Sequence, residues 1–155
     1  MTSDRAPIIA PPPLIGLACI LLAFVAKHYK ALPIFPTKGP LQSAVGIFLV
    51  VVAIAIFVPA VRIFIAHGTS QNPYRPTQAI VTTGVYRFSR NPIYIAFLLI
   101  VLAFGLFANS YWFLVAATVF AFVMHFGVVK PEEKYLLEKF GDSYREYCRR
   151  VRPWI

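Results

Sequence analysis

A chain of 155 residues with 59% hydrophobic content and a mean hydropathy of +0.69 is one domain by length and too apolar for a water-soluble one. Its net charge of +9 comes from Lys and Arg placed between and after the apolar runs, a pattern that fits anionic lipid headgroups and not nucleic acid. Cys19 and Cys148 show neither a paired framework nor metal-ligand spacing, and Cys19, inside an apolar run, reads as a packing or lipid-facing residue.

The chain reads as an all-α membrane protein, a single domain over 1–155 with about four transmembrane helices at residues 13–29, 41–62, 92–108 and 111–129. The first apolar core, residues 14–26, is short against the roughly 20 residues a membrane helix needs. That helix must borrow Pro12-Pro13 and the interfacial Lys27, His28 and Tyr29, with the lysine snorkelling. No small-residue cleavage pattern follows it, so it is expected to stay as an anchor. Residues 31–40 hold three prolines and a glycine and read as a loop. Residues 41–58 are the clearest span. Pro59 removes a backbone donor and is expected to kink or end it, with Arg62 and His67 marking the interface.

Residues 67–91 form the only long polar connection, and Asn72-Pro73-Tyr74-Arg75-Pro76 favours an extended, turn-rich path there. Asn109-Ser110 alone separates the third and fourth apolar runs, which allows only a tight antiparallel hairpin. In the tail, residues 130–155, Pro131-Glu132-Glu133 reads as a helix start, with carboxylates facing the positive end of the dipole. Leu136, Phe140, Tyr144, Tyr147 and Val151 form an apolar stripe. Gly141 interrupts it, and Ser143 with Glu146 reads as a capping box for a second short helix. This amphipathic C-terminal segment is expected to lie along the membrane surface or fold back over the loop. The excess of cations in the 67–91 loop and the tail makes both of them, and both termini, cytoplasmic by the positive-inside rule.

Asn91-Pro92 is a helix-start signature, with Asn as cap and Pro at the first helical position. The free donors of that helix end, with Arg87 and Arg90 beside them, make an anion site, although arginines next to a span also serve as topological anchors. Glu132 and Glu133 are either first-turn stabilisers or ligand groups. The hairpin favours the second reading, because it brings Arg90-Asn91 beside Lys130–Glu133 and joins cations, helix donors and carboxylates in a site suited to a zwitterionic ligand with hydroxyls. His125, polar within the fourth run, is a functional candidate or an interhelical hydrogen-bond partner. The three histidines lack metal spacing, and no Ser-His-Asp set or phosphate-cradling glycine loop occurs.

Gly68-Thr69 through Asn72-Pro73, the run from Val81-Thr82-Thr83-Gly84-Val85-Tyr86-Arg87-Phe88-Ser89-Arg90-Asn91-Pro92 to Ile93-Tyr94, then Glu132-Glu133, Leu136, Phe140-Gly141, Tyr144, Tyr147 and Val151-Arg152, together resemble the isoprenylcysteine carboxyl methyltransferase and phospholipid methyltransferase superfamily. The match covers roughly the second half of the chain, in the expected order. The resemblance implies an integral membrane methyltransferase that uses S-adenosyl-L-methionine, releases S-adenosyl-L-homocysteine, and takes a lipophilic or prenylated acceptor from the bilayer. Its Arg-His-Pro-x-Tyr motif falls on Arg90, Asn91, Pro92 and Tyr94, with Asn for His, which removes a titratable group. Its Glu-Glu motif falls on Glu132 and Glu133.

From the residues and the resemblance together, Arg90, Tyr94 and Glu133 are the expected catalytic residues. Gly84, Val85, Tyr86, Arg87, Arg90, Asn91, Pro92, Tyr94, His125, Glu132 and Glu133 are the expected cofactor-binding ones. No metal and no nucleic acid is expected. The absence of an obvious base leans toward a carboxyl, thiol or similar acceptor, an isoprenylcysteine-type carboxylate, the archetype that the resemblance implies, being favoured. The alternative is a small non-enzymatic transporter or scaffold. A proton-coupled exporter, however, should carry an acidic residue inside a span, and none of the four spans has one.

Overall fold

The computed structural model of the chain describes residues 6–66 and 79–155, which are helix and turn with no strand. His67, the extended path expected at residues 72–76, and the Gly68-Thr69 and Asn72-Pro73 parts of the resemblance lie outside the described residues.

Helix α1 spans Pro12–Tyr29 and takes its prolines into the first turn, where a missing N–H costs nothing. Helix α2 spans Pro40–Ala66 and runs through Pro59 without ending there. Stopping at the proline would expose several backbone groups to an apolar surrounding, whereas continuing forfeits one hydrogen bond. A 3-10 turn at Gly84–Arg87 follows, opened by Gly84 at φ 59°. Helix α3 spans Pro92–Ala108. Asn109 ends it in the left-handed conformation (φ 49°), and the Ser110 amide returns to the Gly105 carbonyl at 3.1 Å.

The chain then reverses into α4, Trp112–Met124, which passes through a π-helical turn at His125–Val129 into α5, Lys130–Phe140. Trp112–Phe140 is therefore one helix of 29 residues, and Pro131 does not begin a new one. The π turn absorbs the proline: the Lys130 amide bonds the His125 carbonyl, and the Gly127 carbonyl, which Pro131 cannot reach, accepts from the Ile9 amide at 3.1 Å. Glu132 and Glu133 consequently face no free helix end, and the dipole argument for them fails. Helix α6, Asp142–Arg150, starts one residue before the expected capping box. Gly141, at φ 55°, already turns the chain, so Ser143 lies inside the helix and no side chain caps it.

The α3–α4 hairpin is the middle of the bundle, with α1 packed along α4 and α2 along α3. Ile15, Cys19 and Ala23 of α1 meet Val101 of α3 and Phe113, Phe120 and Met124 of α4 in the main core. The buried face of α2 carries Gly46, Ala53 and Ala60, small residues seven apart that let its backbone approach α3 closely. At the hairpin tip, Lys27 Nζ donates to the Ala108 carbonyl at 2.7 Å, and the Asn109 amide clamps both backbone groups of Phe35. Pro12–Tyr29, Pro40–Ala66 and Trp112–Phe140 are long and apolar enough to cross a membrane; α3, 17 residues, is apolar but shorter.

Candidate functional site

At the end of the bundle opposite the hairpin tip lies a cavity of about 480 Å³, within the range of about 300–1,000 Å³ that small-molecule sites occupy. Its lining has two characters. Tyr86, Arg90, Asn91, Tyr94, Glu132 and Glu133 supply polar groups; Pro11–Pro13, Phe57, Phe64 and Phe97 supply an apolar wall.

The polar side is built across the hairpin. Arg90, just ahead of α3, pairs through Nη2 with Glu133 of α5, and its Nη1 donates to the backbone carbonyls of Val151 at 2.8 Å and Cys148 at 3.2 Å. Burial works against the charge, but the Glu133 hydrogen bond and carboxylate offset it, and the guanidinium is held above its ordinary value. One helical turn on, the Tyr94 hydroxyl lies 2.9 and 3.0 Å from the two Glu132 carboxylate oxygens. Among the described residues no cation pairs with Glu132. Tyr147 donates its hydroxyl to the Tyr86 carbonyl at 2.7 Å, while the Tyr86 hydroxyl is buried with no protein partner among the described residues. Burial pushes both phenols up, with the neighbouring Tyr147 and Glu132 adding to the effect at Tyr86.

Of the residues expected from sequence, Tyr86, Arg90, Asn91, Pro92, Tyr94, Glu132 and Glu133 come together on the cavity. Gly84, Val85, Arg87 and His125 do not line it. The tight 3-10 turn aims Tyr86 inward, so Val85 packs toward Ala60 and Val81 instead, and Arg87 projects away as an exposed residue. His125 sits on the π turn and accepts at Nδ1 from Trp154 Nε1 at 3.3 Å. Asn91 occupies the cap position of α3 but does not cap it with its side chain. Its Nδ2 donates instead to the Pro153 carbonyl at 2.8 Å.

Sequence reasoning missed the Pro11–Pro13 wall, the α2 aromatics Phe57 and Phe64, and the backbone carbonyls of the tail. The apolar stripe does mark Tyr144 and Tyr147, which line the cavity. Nothing in a sequence marks a carbonyl as an arginine acceptor.

The arrangement leaves the Tyr86 hydroxyl, the Arg90 Nε and the Glu132 carboxylate with hydrogen-bonding or charge capacity that the described protein groups do not satisfy. A ligand bearing cationic and hydroxyl groups beside a carboxylate would meet all three. No solved structure matches this chain. It is similar to an uncharacterized protein of Haemophilus influenzae, 36% identical over 63 residues that make up 41% of this chain and 100% of that protein. The family profile described as phospholipid methyltransferase matches residues 41–143, about two-thirds of the chain, and that interval runs from α2 through the two glutamates. With more than half the chain matched and both sides of the Arg90–Glu133 pair inside the match, the chain belongs to the phospholipid methyltransferase family of membrane methyltransferases.

Proposed function

We propose that the protein crosses the membrane four times, α3 included, and transfers a methyl group from S-adenosyl-L-methionine to a lipophilic or small amphiphilic acceptor at the cytoplasmic face. The observation that carries this reading is the two-sided cavity, in which a charged and hydroxylated wall faces an aromatic and proline-rich one across about 480 Å³. When bound, the cofactor supplies an activated methyl group on a sulfonium centre.

The chain's own residues hold that cofactor by complementarity. Glu132, which pairs with no cation among the described residues, would take an ammonium or a ribose hydroxyl; the Arg90 side of the site would take the carboxylate; the Tyr86 ring and hydroxyl would meet the adenine or sulfonium. Tyr94 acts on Glu132, fixing the carboxylate for that contact. The apolar wall of Pro11–Pro13, Phe57, Phe64 and Phe97 takes the acceptor's hydrocarbon and keeps water from the reacting atoms. An isoprenylcysteine-type carboxylate is the favoured acceptor, because it is already ionised and needs no base. The cation-rich 67–91 loop and tail support placing this end of the bundle, with both termini, on the cytoplasmic side.

Calorimetric titration of the detergent-solubilised protein with S-adenosylhomocysteine tests the cofactor, and absence of binding at millimolar ligand would overturn the reading. Labelled-methyl transfer across prenylcysteine analogues, phospholipid amines and small thiols identifies the acceptor. Transfer to amines alone would overturn the carboxylate assignment.

A further inference from the structure

The last residues of the chain are fastened to the site at consecutive positions. The Arg90 amide donates to the Arg152 carbonyl at 3.0 Å, Arg90 Nη1 to Val151, and Asn91 Nδ2 to Pro153 at 2.8 Å. Ser89, 4% exposed, reaches the same Pro153 carbonyl through Oγ at 3.3 Å and accepts the Asn91 amide at 3.0 Å. Thus Ser89, Arg90 and Asn91 grip Val151, Arg152 and Pro153, and the next residue, Trp154, is held by His125 from the π turn. These hydrogen bonds lie beyond the end of α6 at Arg150, and they add to apolar packing in which Val151 is buried against Tyr144 and Tyr147 and Trp154 packs against the main core. Their common effect is to hold the carbonyls of Cys148 and Val151 against the guanidinium of Arg90, which leaves that group one geometry for meeting Glu133 and a ligand.

We propose that residues 151–154 are a strap that fixes Arg90, fastened by Asn91 and by the His125–Trp154 pair, and that Asn91 is a positioning residue acting through the strap. Asn91 serves there as a hydrogen-bond donor, a role that a histidine N–H can fill and an aspartate cannot. That the strap sets cofactor affinity rests on the methyltransferase reading; that Asn91 fastens it does not.

Trp112 and Trp154 are the two tryptophans of the chain, so Trp112→Phe makes Trp154 the sole tryptophan, and excitation at wavelengths that tyrosine does not absorb reports on the strap. In that background, without ligand, Asn91→Asp places an acceptor against the Pro153 carbonyl. It is expected to move Trp154 emission to longer wavelength and to speed tryptic release of residues 151–155, read by intact mass. In the same protein, S-adenosylhomocysteine affinity falls at least about tenfold, while Asn91→His stays within about twofold of the parent in every readout. If Asn91→Asp yields no folded protein, His125→Leu, which lies off the cavity, takes its place and is expected to speed the same tryptic release. Parent-like emission and digestion in Asn91→Asp, or parent-like digestion in His125→Leu where that variant decides, would overturn the strap. A loosened strap with unchanged affinity would overturn the positioning role. A parent that binds no S-adenosylhomocysteine sinks the methyltransferase reading, and emission and digestion then still decide whether Asn91 fastens the strap.

Discussion

The Tyr94 hydroxyl bridges both carboxylate oxygens of Glu132, at 2.9 and 3.0 Å, and so ties the first turn of α3 to the helix that leaves the hairpin. Together with Arg90–Glu133 it fixes two adjacent carboxylates from two positions four residues apart. Both carboxylates are therefore held from outside their own helix.

Tyr94→Phe removes that bridge while keeping the ring in the cavity wall. A hydrogen bond to a charged group contributes about 1.5–3 kcal/mol, and much of this is expected to appear in ligand binding, because Glu132 loses its orientation. S-adenosylhomocysteine affinity should fall by roughly tenfold or more, with helical content by circular dichroism unchanged. Affinity equal to the parent's would show that Glu132 does not face the ligand.

Arg90 is a stricter case. Its side chain is 9% exposed and contacts Glu133 and two backbone carbonyls, so Arg90→Ala leaves an unpaired carboxylate and two unmet acceptors. Breaking a fully buried pair from one side costs about 3–5 kcal/mol, and this pair, with the Glu133 side chain 26% exposed, is expected to fall below that range. We expect both a lower thermal midpoint and loss of cofactor binding. Arg90→Lys should restore neither fully, since one ammonium cannot span a carboxylate and two carbonyls as the guanidinium fork does. Full rescue by lysine, measured by melting and calorimetry, would show that charge alone suffices.

Much of the bundle was legible because periodicity and turn chemistry are local signals. Pro92 and Asn109 bracket α3, and the shortness of the Asn109-Ser110 turn alone places Arg90 beside Glu133. The family match spans residues 41–143, so it takes in α2 as well as the Val81–Tyr94 run and the two glutamates, and it stops short of Tyr144, Tyr147 and Val151-Arg152, which the resemblance includes. What escaped was decided by groups distant in sequence. Pro131 looked like a helix start because the π turn that bypasses it depends on Ile9 taking the Gly127 carbonyl. Asn91 looked like a cap because its true acceptor, the Pro153 carbonyl, is 62 residues away and has no side-chain signature. His125 was polar in an apolar run for a reason that only Trp154 explains.

The closeness of the hairpin rests on Gly105. A Cβ there would sit 2.9 Å from the Phe113 Cβ, an atom fixed to the backbone of α4 that cannot swing away. Gly105→Ala must push α3 and α4 apart at their tip, for which overpacking costs of about 1–3 kcal/mol are typical. The expected result is a lower melting temperature with weakened cofactor binding, since the Arg90–Glu133 register at the far end depends on the same hairpin. A variant as stable as the parent would mean that the helices separate there at little cost.

The tyrosines beside the strap make stability depend on alkaline pH. Tyr86 and Tyr147 lie outside the spans, and burial raises both phenols above the ordinary value of about 10. For a group whose folded value is raised, the unfolded chain loses its proton first. The stabilising contribution is therefore complete below about pH 10 and declines as pH rises toward the folded value. The thermal midpoint of the solubilised protein should hold steady to about pH 9 and fall above pH 10, as the unfolded phenols ionise and the folded ones do not. Replacing both by phenylalanine removes the ionisable groups, and the alkaline fall should become shallower. It also removes the Tyr147–Tyr86 hydrogen bond of 2.7 Å, so the double variant should start from a lower midpoint at neutral pH. Absorbance near 295 nm at constant temperature supplies the independent check. In the folded parent these two phenols should stay un-ionised until the protein unfolds, and their smooth titration near pH 10 in a protein that remains folded would contradict their burial against the strap.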